Sequence, residues 1–122
     1  MIHILITGAN GFIAKSLNES LSYHYDINMC DRQKLDLLDS DKVLEYIKLN
    51  NFDVVIHGAT YDAAPEFSTK DPDAVLENNL RMFFNLARCS DYFGKMIYFG
   101  SGEEFSRPHW TPRMSENYFG IH

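Results

Sequence analysis

The chain lacks any apolar run near the ~18–20 residues that a membrane span requires. Its 122 residues carry 11 Lys and Arg against 17 Asp and Glu, a formal charge of −6. That deficit of cations argues against a protein whose main task is gripping nucleic acid, where Lys and Arg must neutralise phosphates. Only two cysteines are present, Cys30 and Cys89. They are too few for a disulfide scaffold, they lack metal-ligand spacing, and they read as buried free thiols. The opening Met-Ile-His-Ile-Leu-Ile is too short for a secretory segment and has no basic flank or cleavage site. No targeting segment, no membrane partner and a reducing cytoplasm are therefore expected.

Hydrophobic residues make up 45% of the chain, enough for the core of one modest globular domain. Their period alternates. His3 to Thr7 is a β-branched, apolar run ended by Gly8, which predicts a buried strand. From Gly11 to about His24, Ile13, Ala14, Leu17 and Leu21 fall on one helical face. Asp26 to Cys30 reads as a second strand. Asp39 or Ser40 can cap a helix carrying Val43, Leu44 and Ile47, and Phe52 to His57 reads as a third strand.

A polar loop over about Tyr61 to Lys70 follows, and Asp71-Pro72 then suits the cap and first position of a helix. That helix carries Val75, Leu76, Leu80, Phe83, Phe84, Leu86 and Ala87, and Lys95 to Gly100 holds a fourth strand. Ser101 to His122 shows no clear period.

Apolar strands alternating with helices predict an α/β fold. The expected architecture is a Rossmann-type, doubly wound parallel sheet with helices on both faces and right-handed crossovers. About four strands are expected, in the order 3-2-1-4, fewer than the six of the complete pattern. Residues 1–105 would form a partial dinucleotide-binding domain. Residues 106–122 would be an irregular tail leading to a catalytic and substrate part, as in a fragment of a longer protein.

The most specific feature is Thr7-Gly8-Ala9-Asn10-Gly11-Phe12-Ile13-Ala14, placed directly between strand one and helix one. Gly8 permits a tight turn, Gly11 lets a ligand approach the backbone, and Ala14 lets the helix lie near the strand. Free N–H groups at the helix start then favour a pyrophosphate. The spacing is Gly-x-x-Gly-x-x-Ala rather than Gly-x-Gly-x-x-Gly.

Here the chain resembles the extended short-chain dehydrogenase/reductases, the NAD-dependent epimerase/dehydratases, which open on Thr-Gly-x-x-Gly-x-x-Gly or -Ala. Arg32 to Asp39 resembles the segment after strand two in GDP-fucose synthases and dTDP-4-dehydrorhamnose reductases. Val54-Val-Ile-His57-Gly58-Ala59-Thr60 resembles the third strand and its Ala-Ala turn. Asn79 with Asn85 and Leu86 resembles the Asn-Val-x-Gly-Thr-x-Asn-Leu helix, and Ile97 to Gly102 resembles the fourth strand and its end.

The resemblance implies NAD or NADP as cofactor, a nucleotide-sugar substrate, a homodimer, and hydride transfer between the nicotinamide and a sugar carbon. Gly8, Asn10, Gly11, Phe12 and Ile13 would hold the pyrophosphate. Asp31 stands about 20 positions beyond the glycine loop, where a carboxylate commonly meets the adenosine ribose. Arg32 follows it, where the resemblance implies contact with a 2′-phosphate, so the choice of nicotinamide stays open at this stage. Asp36 and Leu37 would flank the adenine, and Ala59 and Thr60 would approach the nicotinamide ribose. Asn79 would brace the turn after strand four.

Catalysis in this family uses Ser or Thr with Tyr-x-x-x-Lys. Here Gly102 stands at the hydroxyl position, with Ser101 one place early. Tyr118 takes the tyrosine place in one register, with His122 where Lys should be. In the other register Phe119 takes it. Ser101 and Tyr118 are the catalytic candidates, without a complete Ser–Tyr–Lys set. The alternatives are a catalytically impaired dinucleotide-binding module and a truncated α/β fragment that binds nothing. His57 reads as a packed or hydrogen-bonded core residue, since no ligand partner is spaced for a metal.

Overall fold

The structure, a computed structural model, describes residues 1–61 and 72–99. Four parallel strands, β1 (His3–Thr7), β2 (Asp26–Cys30), β3 (Val54–His57) and β4 (Lys95–Tyr98), form one sheet. Three helices connect them: α1 (Phe12–Leu21), α2 (Ser40–Asn50) and α3 (Val75–Ala87).

Alternation along β1 assigns each face. Ile4 and Ile6 join Ile56 beneath Ala14 and Leu17 of α1. Leu5 joins Val55 beneath Val43 and Ile47 of α2 and Met82 and Leu86 of α3. A central strand buried on both sides explains the unbroken apolar run from Ile4 to Ile6. Asp39 caps α2 by accepting a hydrogen bond from the Lys42 N–H at 3.2 Å. Asn51 ends that helix in the left-handed conformation, φ 52°.

The strand order is β2-β1-β3-β4, which corrects the expected 3-2-1-4. The third strand lies on the far side of β1 because Asp53 pins it there. The Asp53 N–H donates to the His3 carbonyl, and its carboxylate accepts the His3 N–H, each at 2.8 Å. Residues 31–39 make turns and leave the outer edge of β2 unpaired among the described residues. The chain thus runs from β1 outward to β2, then returns past β1 to β3. Right-handed crossovers in opposite directions place α1 on one face and α2 and α3 on the other. The reversal lies between β1 and β3, and such a switch point opens a crevice at the strands' carboxyl ends.

One further correction concerns α3. A 3-10 turn, Pro72–Ala74, precedes it, and the helix proper begins at Val75 with no side-chain cap. Asp71, the expected cap, and most of the expected loop lie outside the described residues. The helix carries two apolar stripes. Met82, Leu86 and Cys89 enter the core, whereas Leu76, Leu80 and Phe84 are exposed. Leu86 belongs to the apolar set expected for this helix, as do Leu76, Leu80 and Phe84. Cys30 and Cys89 are buried free thiols, as expected, and burial pushes both pKa values up.

Candidate functional site

Thr7, Cys30, His57 and Tyr98 stand at one level in the strand register. Just beyond them lies a cavity of about 340 Å³. Its wall includes Gly8, Asn10, Gly11, Asp31, Arg32, Asp36, Leu37, Ala59 and Thr60, so one crevice gathers these candidates. Ser101, Gly102, Tyr118, Phe119 and His122 lie outside the described residues.

The glycine loop explains itself locally. Gly8 has φ +75°, a region that disfavours a side chain, and a Cβ there would stand 2.7 Å from the Gly58 carbonyl carbon and oxygen. The backbones leaving β1 and β3 can touch only because that atom is absent. The turn closes through the Gly11 N–H on the Gly8 carbonyl, 2.8 Å, and the Ala9 N–H on the Cys30 carbonyl, 3.2 Å. The first helical hydrogen bond is Lys15 N–H to the Gly11 carbonyl. The N–H groups of Asn10, Phe12 and Ile13 therefore make no hydrogen bond among the described residues.

Gly11, the N-cap, has no side chain to satisfy them. Unpaired donors at the positive end of a helix, over a bend with no Cβ in the way, fit a diphosphate. The candidates divide accordingly. The side chains of Phe12 and Ile13 point to solvent and do not line the cavity; what these residues offer is their main chain. Gly11 offers room, since its own N–H is engaged within the loop.

Behind this loop sits a polar knot that sequence reasoning left unassembled. The Thr7 hydroxyl accepts N–H groups from Gly58, 3.0 Å, and Ala59, 3.1 Å. It lies 2.8 Å from His57 Nδ1. With two donors already on the oxygen, its hydrogen goes to Nδ1, so His57 is neutral with its proton on Nε2. Burial lowers the His57 pKa to about 4.

At the opposite end, the Asp31 carboxylate accepts the Lys34 N–H at 2.9 Å, and that of Asp36 accepts the Leu38 N–H at 3.0 Å. Lys34 Nζ reaches Asn28 Oδ1 at 2.6 Å. Arg32 is exposed, and its guanidinium has no partner among the described residues.

Asn79 reaches back to the end of β3. Its Oδ1 accepts the Tyr61 N–H and its Nδ2 donates to the Tyr61 carbonyl, both at 2.8 Å. It braces the exit of β3; the turn after β4, from residue 100 on, lies outside the described residues. Sequence reasoning also missed Met82 and Tyr61 in the cavity wall. The spacing of Met82, Leu86 and Cys89 on one helical face was the available signal for Met82. Among the described residues, no three His, Cys, Asp or Glu side chains converge as metal ligands, and no helix is long and apolar enough to cross a membrane.

Residues 4–119 match the NAD dependent epimerase/dehydratase family, and the chain belongs to it. A similar curated protein is GDP-L-colitose synthase of Yersinia pseudotuberculosis, 29% identical over 101 residues, covering 80% of this chain and 33% of that protein. The fold is shared with a GDP-6-OMe-4-keto-L-xylo-heptose reductase from C. jejuni (TM-score 0.82, 21% identity, 98% of this chain and 35% of that one). It is also shared with a GDP-L-fucose synthetase from Naegleria fowleri bound to NADP (TM-score 0.83, 20% identity, 98% and 39%). The chain thus spans about a third of the length of the relatives it matches.

Proposed function

We propose that this chain is the cofactor-binding portion of an NAD(P)-dependent epimerase, dehydratase or reductase acting on a nucleotide-linked sugar. The observation that carries the reading is the set of Asn10, Phe12 and Ile13 N–H groups, unpaired among the described residues, above the Gly8 bend. Family membership supports the cofactor class, and relatives whose names specify GDP-linked sugars support the substrate class. When bound, the nicotinamide supplies hydride transfer to or from a sugar carbon.

The chain's own residues bind and orient. Asn10, Phe12 and Ile13 hold the diphosphate through their main chain, in the room that Gly8 and Gly11 leave. Asp36 and Leu37 flank the adenine, and Ala59 and Thr60 approach the nicotinamide ribose. Asp31 and Arg32 meet the adenosine ribose, and the balance between them favours NADP. One Asp31 oxygen already accepts the Lys34 N–H, whereas Arg32 is uncommitted among the described residues. A guanidinium takes a 2′-phosphate as a two-pronged donor.

In this reading residues 1–105 are the dinucleotide-binding unit and residues 106–122 lead toward the substrate side. Ser101 and Tyr118 are its candidates for positioning the substrate oxygen and moving its proton. The Gly102 side chain cannot supply a hydroxyl, which favours, as a second reading, a dinucleotide-binding module with impaired turnover. The homodimer belongs to the proposal through the exposed Leu76, Leu80 and Phe84 stripe, whose spacing suits helix packing. Placement in the cytoplasm rests on the family alone.

Calorimetric titration of NADP and NAD tests the reading. NADP should bind the more tightly and lose affinity as salt rises, because the 2′-phosphate contact is ionic. At ~100 times its dissociation constant it should add about 2.7 kcal/mol of stability. No binding of either at millimolar concentration overturns the reading, and tighter NAD binding overturns the part given to Arg32.

A further inference from the structure

The adenosine end of the cavity is built from a loop with no strand or helix of its own. Residues 31–38 supply Asp31, Arg32, Asp36 and Leu37 to the wall. Each half of the loop is curled by local bonds. Asp31 accepts the N–H groups of Lys34 and Leu35 through its side chain and main chain. Asp36 does the same for Leu38 and Asp39. Such bonds shape the loop but do not set its distance from the rest of the cavity.

Leu35 and Leu37 pack it onto the core, Lys34 ties it to β2, and one side chain ties it to α3. Asn85, buried in the middle of α3, donates from Nδ2 to the Leu37 carbonyl at 2.8 Å, across 48 positions of sequence. No other hydrogen bond among the described residues ties this loop to α3. The amide's orientation is also set, because Arg88 Nη2 donates to Asn85 Oδ1 and thereby turns Nδ2 toward Leu37. An asparagine here is costly. It has weak helix propensity and interrupts the Met82, Leu86 and Cys89 stripe, where an apolar residue would pack at no polar cost. Met82, one turn earlier, lines the same cavity.

We propose that Asn85 is a positioning residue for the dinucleotide's adenosine half: through the Leu37 carbonyl it fixes the adenine-flanking loop against α3. The proposal rests on the dinucleotide reading above. Asn79, six residues earlier, ties the same helix to Tyr61 at the other end of the cavity. One rigid helix thus holds both walls by two separate amides, and the two can be perturbed independently. Loss of the Asn85 bond acts on adenosine recognition, and loss of the Asn79 bonds acts on the nicotinamide side.

The test titrates two half-ligands, 2′,5′-ADP and nicotinamide mononucleotide, into the chain and three variants. Asn85→Asp keeps the shape and the acceptor facing Arg88 while replacing the donor to Leu37 by an oxygen that repels the carbonyl. Arg88→Ala changes an exposed residue, frees the amide and also removes the bond from Nε to the Phe84 carbonyl. Asn79→Asp is the contrasting lesion. Near-ultraviolet circular dichroism checks that each variant folds.

Asn85→Asp should weaken 2′,5′-ADP about tenfold, the loss of one buried hydrogen bond, and leave the mononucleotide within about twofold. Arg88→Ala should weaken the same ligand a few-fold, and Asn79→Asp should reverse the selectivity. Amide hydrogen exchange at Leu35 and Leu38 should quicken in Asn85→Asp while β1 and β3 stay protected.

Equal loss on both half-ligands, or unchanged 2′,5′-ADP binding, overturns the proposal. If Asn85→Asp does not fold, Arg88→Ala decides by the same criterion. An unaltered chain that binds neither half-ligand overturns the dinucleotide reading, and this proposal with it. Binding by the unaltered chain without selective loss in the variants overturns this proposal alone.

Discussion

The Thr7 hydroxyl and His57 Nδ1 lie 2.8 Å apart, and the hydroxyl also accepts the N–H groups of Gly58 and Ala59. One oxygen thereby joins the end of β1 to the turn after β3, the two backbones that frame the cavity. Thr7→Val keeps the shape and strands two backbone donors and the imidazole nitrogen. It should cost about 1–3 kcal/mol of stability per unsatisfied buried group, read by chemical denaturation. Thr7→Ser should retain most of the native stability.

The same knot makes the fold acid-sensitive. The buried His57 has a pKa lowered from 6.5 to about 4, so between those values the unfolded chain binds a proton that the native chain does not. Native stability should be at its full level above about pH 6.5 and decline as pH falls toward 4. His57 alone should account for up to about 3 kcal/mol of that decline. His57→Asn, whose side-chain oxygen can accept from Thr7, should show a flatter profile over this window.

The two glycines of the loop should separate stability from binding. At Gly8 a Cβ meets the Gly58 backbone at 2.7 Å on a backbone of φ +75°. Gly8→Ala should cost about 2 kcal/mol or more. Gly11 has an ordinary φ of −79°, and a Cβ there meets only the Gly8 carbonyl oxygen, at 3.2 Å. Gly11→Ala should change stability by less than about 1 kcal/mol yet weaken NADP at least ~10-fold, because the methyl fills the cradle. Paired thermal melts and titrations check both outcomes.

Arg32→Ala should lower NADP affinity by about 10–100-fold, the worth of hydrogen bonds between charged groups, and leave NAD nearly unchanged. The slope of NADP affinity against salt should flatten in the variant. Equal losses for the two nucleotides would place Arg32 away from the 2′-phosphate.

Much of this was legible from local pattern. Period and glycine punctuation located all four strands to within a few residues, and the Gly8 to Ile13 loop announced the cavity. What was not legible depends on distant partners. The place of β3 beside β1 is fixed by Asp53 and His3, fifty positions apart, which no local period encodes. The α3 sequence offers two apolar stripes, and periodicity alone cannot say which one enters the core. The Asn85–Leu37 and Asn79–Tyr61 bonds likewise cross long separations. In sequence the family resemblance marks Asn79 and Asn85 but not the partners they reach.

The central claim is that main-chain donors at the start of α1 hold the diphosphate of a nicotinamide dinucleotide. Titrating NADP into ¹⁵N-labelled chain and following the amide resonances of Asn10, Phe12 and Ile13 tests it most directly. The account predicts that these three shift together and saturate with the affinity measured by calorimetry, and that Gly11→Ala moves the midpoint to at least ~10-fold higher NADP. Saturable NADP binding that leaves those three amides unmoved would contradict it.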